Sequence, residues 1–135
     1  MLRILTLVGA GALAIVSGCS VRAEPGPVVV PSDGSLTVDW TIDDTKDPTY
    51  CAHYAASSIQ IAVTASDGAD AGTYEQDCEA FQTTLSLPPG EYSATAVLID
   101  SAGTHVTTTI DINPFRIVSG TDLNTPIDFP LSSFL

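Results

Sequence analysis

Positive charge is scarce in this sequence. Four Lys and Arg stand against 16 Asp and Glu, a formal net charge of −12 at pH 7. A chain so acidic cannot grip nucleic-acid phosphates or an anionic lipid surface, which takes clustered Lys and Arg. Nucleic acid is therefore excluded as a partner. Histidine is nearly absent too, with only His53 and His105. No G-x-S-x-G elbow and no glycine-rich phosphate loop occurs, and the Gly9-x-Gly11 pair lies in an apolar leader. No catalytic residue, no metal-ligand set and no cofactor is expected, and the chain reads as a non-enzyme. The acids are dispersed, so their plain reading is solubility. Long apolar runs are missing as well. The run Ile4–Val16 has 13 residues, against about 20 needed to span hydrocarbon.

That run follows Met1-Leu2-Arg3 and gives way to small residues, the order of a secretory signal. It closes on Val16-Ser17-Gly18-Cys19, which resembles the lipobox of bacterial lipoproteins. The resemblance implies that residues 1–18 are a lipoprotein signal peptide cut between Gly18 and Cys19. It also implies a diacylglyceryl group on the Cys19 sulfur and a further acyl chain, such as palmitate, on the new amine. Each buried methylene adds about 0.8 kcal/mol, so two or three chains hold firmly where one does not. Membrane lipid is then a partner through acylated Cys19, and the expected location is the bacterial cell envelope. Ser20, a residue other than Asp at the next position, implies the outer membrane under the enterobacterial sorting rule.

Removing residues 1–18 takes away Arg3 and no acid, which leaves 3 basic and 16 acidic side chains. Once Cys19 is assigned to lipid, Cys51 and Cys78 remain. An even pair in an exported chain reads as a disulfide. A metal or redox pair would want C-x-x-C spacing or four ligands, and only His53 lies near either cysteine. The closed loop of about 28 residues is worth roughly 3.5 kcal/mol by chain entropy. Residues 19–31, with Pro25, Pro27 and Pro31, read as a tether. From Ser20 onward an extended polyproline form would reach roughly 35–40 Å. Val28-Val29-Val30 reads alternatively as a first short strand ended by Pro31.

Residues 32–135 alternate with period two, the pattern of half-buried strands. Leu36, Val38, Trp40 and Ile42 share one parity, as do Ile59, Ile61 and Val63. Phe81, Leu85 and Leu87 form a third set, and Tyr92, Ala94, Ala96 and Leu98 a fourth, with Val97 and Ile99 opposite. Val106, Ile110 and Ile112 follow, then Leu123, Ile127 and Phe129. Turn signals separate the runs at Ser32-Asp33-Gly34, Asp67-Gly68, Pro88-Pro89-Gly90, Ser101-Ala102-Gly103 and Ser119-Gly120. One short helix is expected near residues 47–55, with Asp47 as cap and Pro48 at its first position. The fold class is all-β, a single sandwich of about 7–9 short strands.

Leu87-x-Pro89-Gly90-x-Tyr92 resembles the tyrosine corner of immunoglobulin-like and fibronectin type III domains. Its spacing is one residue shorter than their commonest form. The resemblance implies an immunoglobulin-like sandwich in which the Tyr92 hydroxyl bonds back to the backbone before its strand. A Pro-Gly before a Tyr-led strand is also similar to transthyretin-like and carboxypeptidase-regulatory-like sandwiches. The Cys51–Cys78 pair differs from the antibody disulfide, because Trp40 precedes both cysteines rather than lying between them.

Ligand-binding residues are weakly marked. Asp43, Asp44 and Asp47 cluster before the helix, and Asp67 and Asp70 sit in a Gly-containing loop. Such loops can supply the six to eight oxygens of a calcium site, and Asp is equally explained by its liking for turns. Tyr50 and Tyr54, four apart, share a helix face, where they can stack on sugar or pack the helix down. His53 falls beside the expected disulfide and His105 beside a turn. The expected function is a noncatalytic interaction or structural module at the envelope, with an envelope protein or a glycan as partner. A carbohydrate- or calcium-binding module is the alternative.

Overall fold

The computed structural model describes residues 32–135. The expected signal peptide, Cys19 and the tether of residues 19–31 lie outside them. Seven strands make two sheets packed face to face: β1 Gly34–Ile42, β2 Ser58–Ala65, β3 Asp70–Asp77, β4 Gln82–Leu87, β5 Gly90–Ile99, β6 Ile110–Ile117 and β7 Asp122–Phe129. The three-stranded sheet has the order β4-β1-β7, and the four-stranded sheet β3-β2-β5-β6. One helix, α1 Pro48–His53, and 3₁₀ turns at Cys78–Ala80 and Leu131–Ser133 complete the elements among the described residues.

The alternating residues form the core. Leu36, Val38, Trp40 and Ile42 of β1 are fully buried against Ile59, Ile61 and Val63 of β2 and Ala96 and Leu98 of β5. β1 is central because both its edges are used. It pairs antiparallel with β4, from Gly34↔Leu87 to Asp39↔Gln82. On its other side it pairs parallel with β7, from Ser35↔Asp122 to Ile42↔Phe129. If β1 to β6 are matched to strands B, C, C′, E, F and G of an immunoglobulin-like sandwich, the C′-C-F-G sheet is reproduced. β7 then lies beside B where strand A runs in that scheme, and it runs parallel to B.

Tyr92 is the third residue of β5, and its hydroxyl donates to the Pro88 carbonyl at 2.6 Å. This is the expected corner contact, made over the shorter spacing. Burial pushes the Tyr92 phenol pKa up, and the carboxylate of Asp33 and the phenol of Tyr74 add to the effect. The helix also forms as expected. Asp47 Oδ1 accepts from the Thr49 amide at 2.9 Å, and Pro48 takes the first turn.

Two parts differ from the sequence reading. β3 has no counterpart there: Asp70–Asp77 lacks an apolar parity, and Asp70 is expected in a loop. It forms by pairing with β2, from Ser58↔Asp77 to Thr64↔Asp70. The hairpin turns at Gly68, whose φ of +88° suits glycine. The expected strand from Val106 to Ile112 begins only at Ile110. Thr107 intervenes: its side chain is buried, and Oγ1 accepts the Leu98 amide at 3.0 Å. A side-chain oxygen thus fills a place in the ladder that a backbone carbonyl would otherwise take, and residues 106–109 leave the strand.

Candidate functional site

The two cysteines meet at one corner of the sandwich. Cys51 on α1 and Cys78 in the 3₁₀ turn form a disulfide with Cα atoms 6.0 Å apart. Both are about 1% exposed, so the bridge belongs to the core and is no open redox pair. Trp40 Nε1 donates to the Cys78 carbonyl at 3.0 Å, which ties β1 to the same corner. Phe81 follows with φ of +54°. Its carbonyl accepts the Trp40 amide at 3.0 Å, so the chain turns sharply into β4.

The acidic candidates do not converge. Asp43 and Asp44 have φ of +51° and +61°. They form a two-residue turn closed by Ile42 N–H to Thr45 O at 2.9 Å and Thr45 N–H to Ile42 O at 3.1 Å. Positive φ at both central residues is the requirement of a type I′ turn. Asp128 holds this turn, since Oδ1 accepts from the Asp44 amide at 2.9 Å and from Thr41 Oγ1 at 2.7 Å. Asp47 is the helix cap, and its bonds to Thr49 lower its pKa. Asp67 and Asp70 each accept an amide two residues on, at 2.9 Å. Among the described residues no group of three His, Cys, Asp or Glu side chains is placed to hold a metal ion. The calcium reading therefore finds no site in either cluster, and turn geometry accounts for both.

The aromatic pair is a packing feature. Tyr54 stacks on Phe134 with centroids 4.0 Å apart, and Tyr50 lies parallel to Tyr54 at 6.4 Å. The helix is thereby fastened to the C-terminal segment, whose Phe134 bridges Thr107. His53 meets Tyr54 edge-on at 4.7 Å. His105 is exposed in the β5–β6 connection. The structure brings neither histidine together with the other.

A shallow groove of about 450 Å³ runs over the start of β5 and the end of β6, lined by Ser66, Glu91, Ser93, Pro114, Phe115 and neighbours. Sequence reasoning did not find it. A register shift between Tyr92 and Ala94 sets Phe115 opposite Tyr92, and the two rings stack at 5.9 Å. Arg116 bonds Glu91 at 2.7 Å, with both side chains mostly exposed. Ser66 and Ser93 add hydroxyls to the lining. The groove can offer hydroxyl, carboxylate and aromatic contacts.

The sheet edges differ from one another. β6 carries Pro114 and β7 carries Pro126, and proline denies a donor to any strand that would add there. β3 carries Asp70, Glu75 and Asp77. β4 reads Gln82-Thr83-Thr84-Leu85-Ser86-Leu87, with neither proline nor charge. Its ladder partner is β1.

No protein-family model matches the chain. No curated protein matches it either. Solved structures do superpose on it. The minor pilin of the Gram-positive pathogen Streptococcus agalactiae gives a TM-score of 0.47 at 16% identity, over 75% of this chain and 45% of that one. A candidate polysaccharide-binding protein from Bacteroides thetaiotaomicron gives 0.45 at 11% identity, over 70% and 46%. A candidate adhesin from Bacteroides ovatus gives 0.45 at 13% identity, over 71% and 46%. The chain thus spans somewhat less than half the length of each structure, and likeness at this level says nothing about what it binds or does.

Proposed function

We propose that the chain is a lipid-anchored module of the bacterial envelope that acts by noncatalytic contact. Residues 1–18 serve as its signal peptide, Cys19 as its acylated anchor, residues 19–31 as a tether and residues 32–135 as the contact domain. The observation that carries this reading is the buried Cys51–Cys78 bridge. A disulfide built into the core of so small a domain suits an oxidising, extracytoplasmic compartment, and Val16-Ser17-Gly18-Cys19 supplies the means of staying there. With about −13 on the mature chain, attachment must come from lipid rather than from a basic patch. Ser20 favours the outer membrane.

The test is mass spectrometry and membrane fractionation of the wild type and of Cys19→Ala. The wild type should carry a diacylglyceryl mass and sediment with membranes, and the variant should be soluble after export. A wild type without lipid, or a variant that stays on the membrane, overturns the anchor.

A further inference from the structure

We infer that the open edge of β4 is a docking site for an extended, basic segment of a partner protein, which adds as a fourth strand to the β4-β1-β7 sheet. This rests on the reading of the domain as a contact module and names the contact. Three of the four sheet edges carry a recognised guard: proline on β6 and β7, a row of acids on β3. β4 carries none. In an antiparallel edge, alternate residues turn N–H and C=O outward, away from the neighbouring strand. None of the β4 backbone groups bonds to loops or turns among the described residues. A three-stranded sheet faces a four-stranded one, and in the A-B-E-D arrangement a strand lies against E, the place beside β4.

Charge selects the occupant. β3 and β4 touch, and the turn between them carries Glu79. The approach to β4 is therefore acidic, with Asp77 and Glu79 leading into it and Glu75 two residues back on β3. Asp33 is close to the far end, where Ser86 Oγ donates to it at 3.2 Å. The nearby cation Lys46 is paired with Asp39 at 3.3 Å. A second copy of the mature chain, with 3 basic and 16 acidic side chains of its own, is repelled. An incoming segment with Lys or Arg at alternate positions meets the acids, while its backbone completes the ladder.

The experiment uses the full acylated protein in detergent and an eight-residue peptide of alternating Lys and Thr, followed by calorimetry and NMR. Micromolar to millimolar binding is expected, weakened at least tenfold by Gln82→Lys with Ser86→Lys, and weakened with a flatter salt dependence by Glu75→Gln with Glu79→Gln. All four side chains are exposed or at the surface, so thermal melts should be unchanged. N-methylation of one alternate set of peptide amides should abolish binding, and methylation of the other set should not. Equal loss from both sets, or from neither, overturns strand addition. Tighter binding of a matched eight-residue peptide of alternating Glu and Thr, or no binding of the Lys/Thr peptide, overturns the basic occupant. Slow hydrogen exchange at every β4 amide of the free protein shows the edge already filled by its own chain or a second copy, and overturns the proposal. None of these outcomes touches the lipid mass, so failure here is distinguishable from failure of the anchor.

Discussion

Thr107→Val removes a single hydrogen-bonding oxygen from the interior and leaves the shape nearly intact. The Thr107 side chain is about 1% exposed, and its Oγ1 accepts the Leu98 amide at 3.0 Å. Valine fills the same volume, so cavity formation contributes little. What remains is a buried N–H without a partner, which costs about 1–3 kcal/mol. Thr107→Ser is the control. It keeps the acceptor and loses one buried methyl, worth about 0.8 kcal/mol plus a small cavity term. Polarity alone would rank valine as the milder change in a core, and the geometry ranks it as the more damaging. Urea unfolding should show a lower midpoint for valine than for serine at unchanged slope. At about 2 kcal/mol, the melting temperature of a domain this size should drop by roughly 8–16 °C. Amide exchange at Leu98 should rise beyond the global change in the valine variant only. A valine variant as stable as wild type, or more stable than serine, would refute the assignment of Thr107 as a ladder substitute.

Asp44→Gly should stabilise the domain by about 0.5–1 kcal/mol, because the second position of a type I′ turn favours glycine at positive φ; a fall in the urea midpoint would mean that the Asp44 carboxylate does something its geometry does not reveal. Asn124→Ala removes the 2.7 Å bond from Nδ2 to Asp39 Oδ2. That bond is the largest cause of the lowered Asp39 pKa, with Lys46 assisting and burial opposing. A depressed carboxylate pKa stabilises the folded state above the unfolded value near 3.9, and the contribution is lost as pH falls through the folded value. Carboxyl NMR should therefore find Asp39 titrating higher in Asn124→Ala, with a smaller share of acid-induced destabilisation from this site. An unmoved titration would contradict the causal order.

The strands that meet the core were legible because burial on one face forces a parity. Leu36 to Ile42 and Ile59 to Val63 are placed as their alternation requires. β3 was illegible for the complementary reason: an edge strand with few apolar neighbours is held by the β2 ladder, and backbone pairing leaves no mark in side-chain type. Residues 106–109 carried β-branched side chains that read as strand, and the hydroxyl of Thr107 overrode them. The Asp43-Asp44 pair carried turn chemistry and ligand chemistry in the same letters, and only positive φ separates the two. The groove beside Phe115 and the unguarded edge of β4 depend on which strands become neighbours. Topology decides that, and no single window of sequence contains it.

β1 runs between an antiparallel ladder on one side and a parallel ladder on the other. Tension applied through residue 32 acts along the axis of this strand and across the direction of its hydrogen bonds. Extraction would have to shear both rows together rather than peel them one rung at a time. Whatever hauls on the amino end therefore meets a strand held on both flanks first, and the domain resists unravelling from the side on which it would be tied.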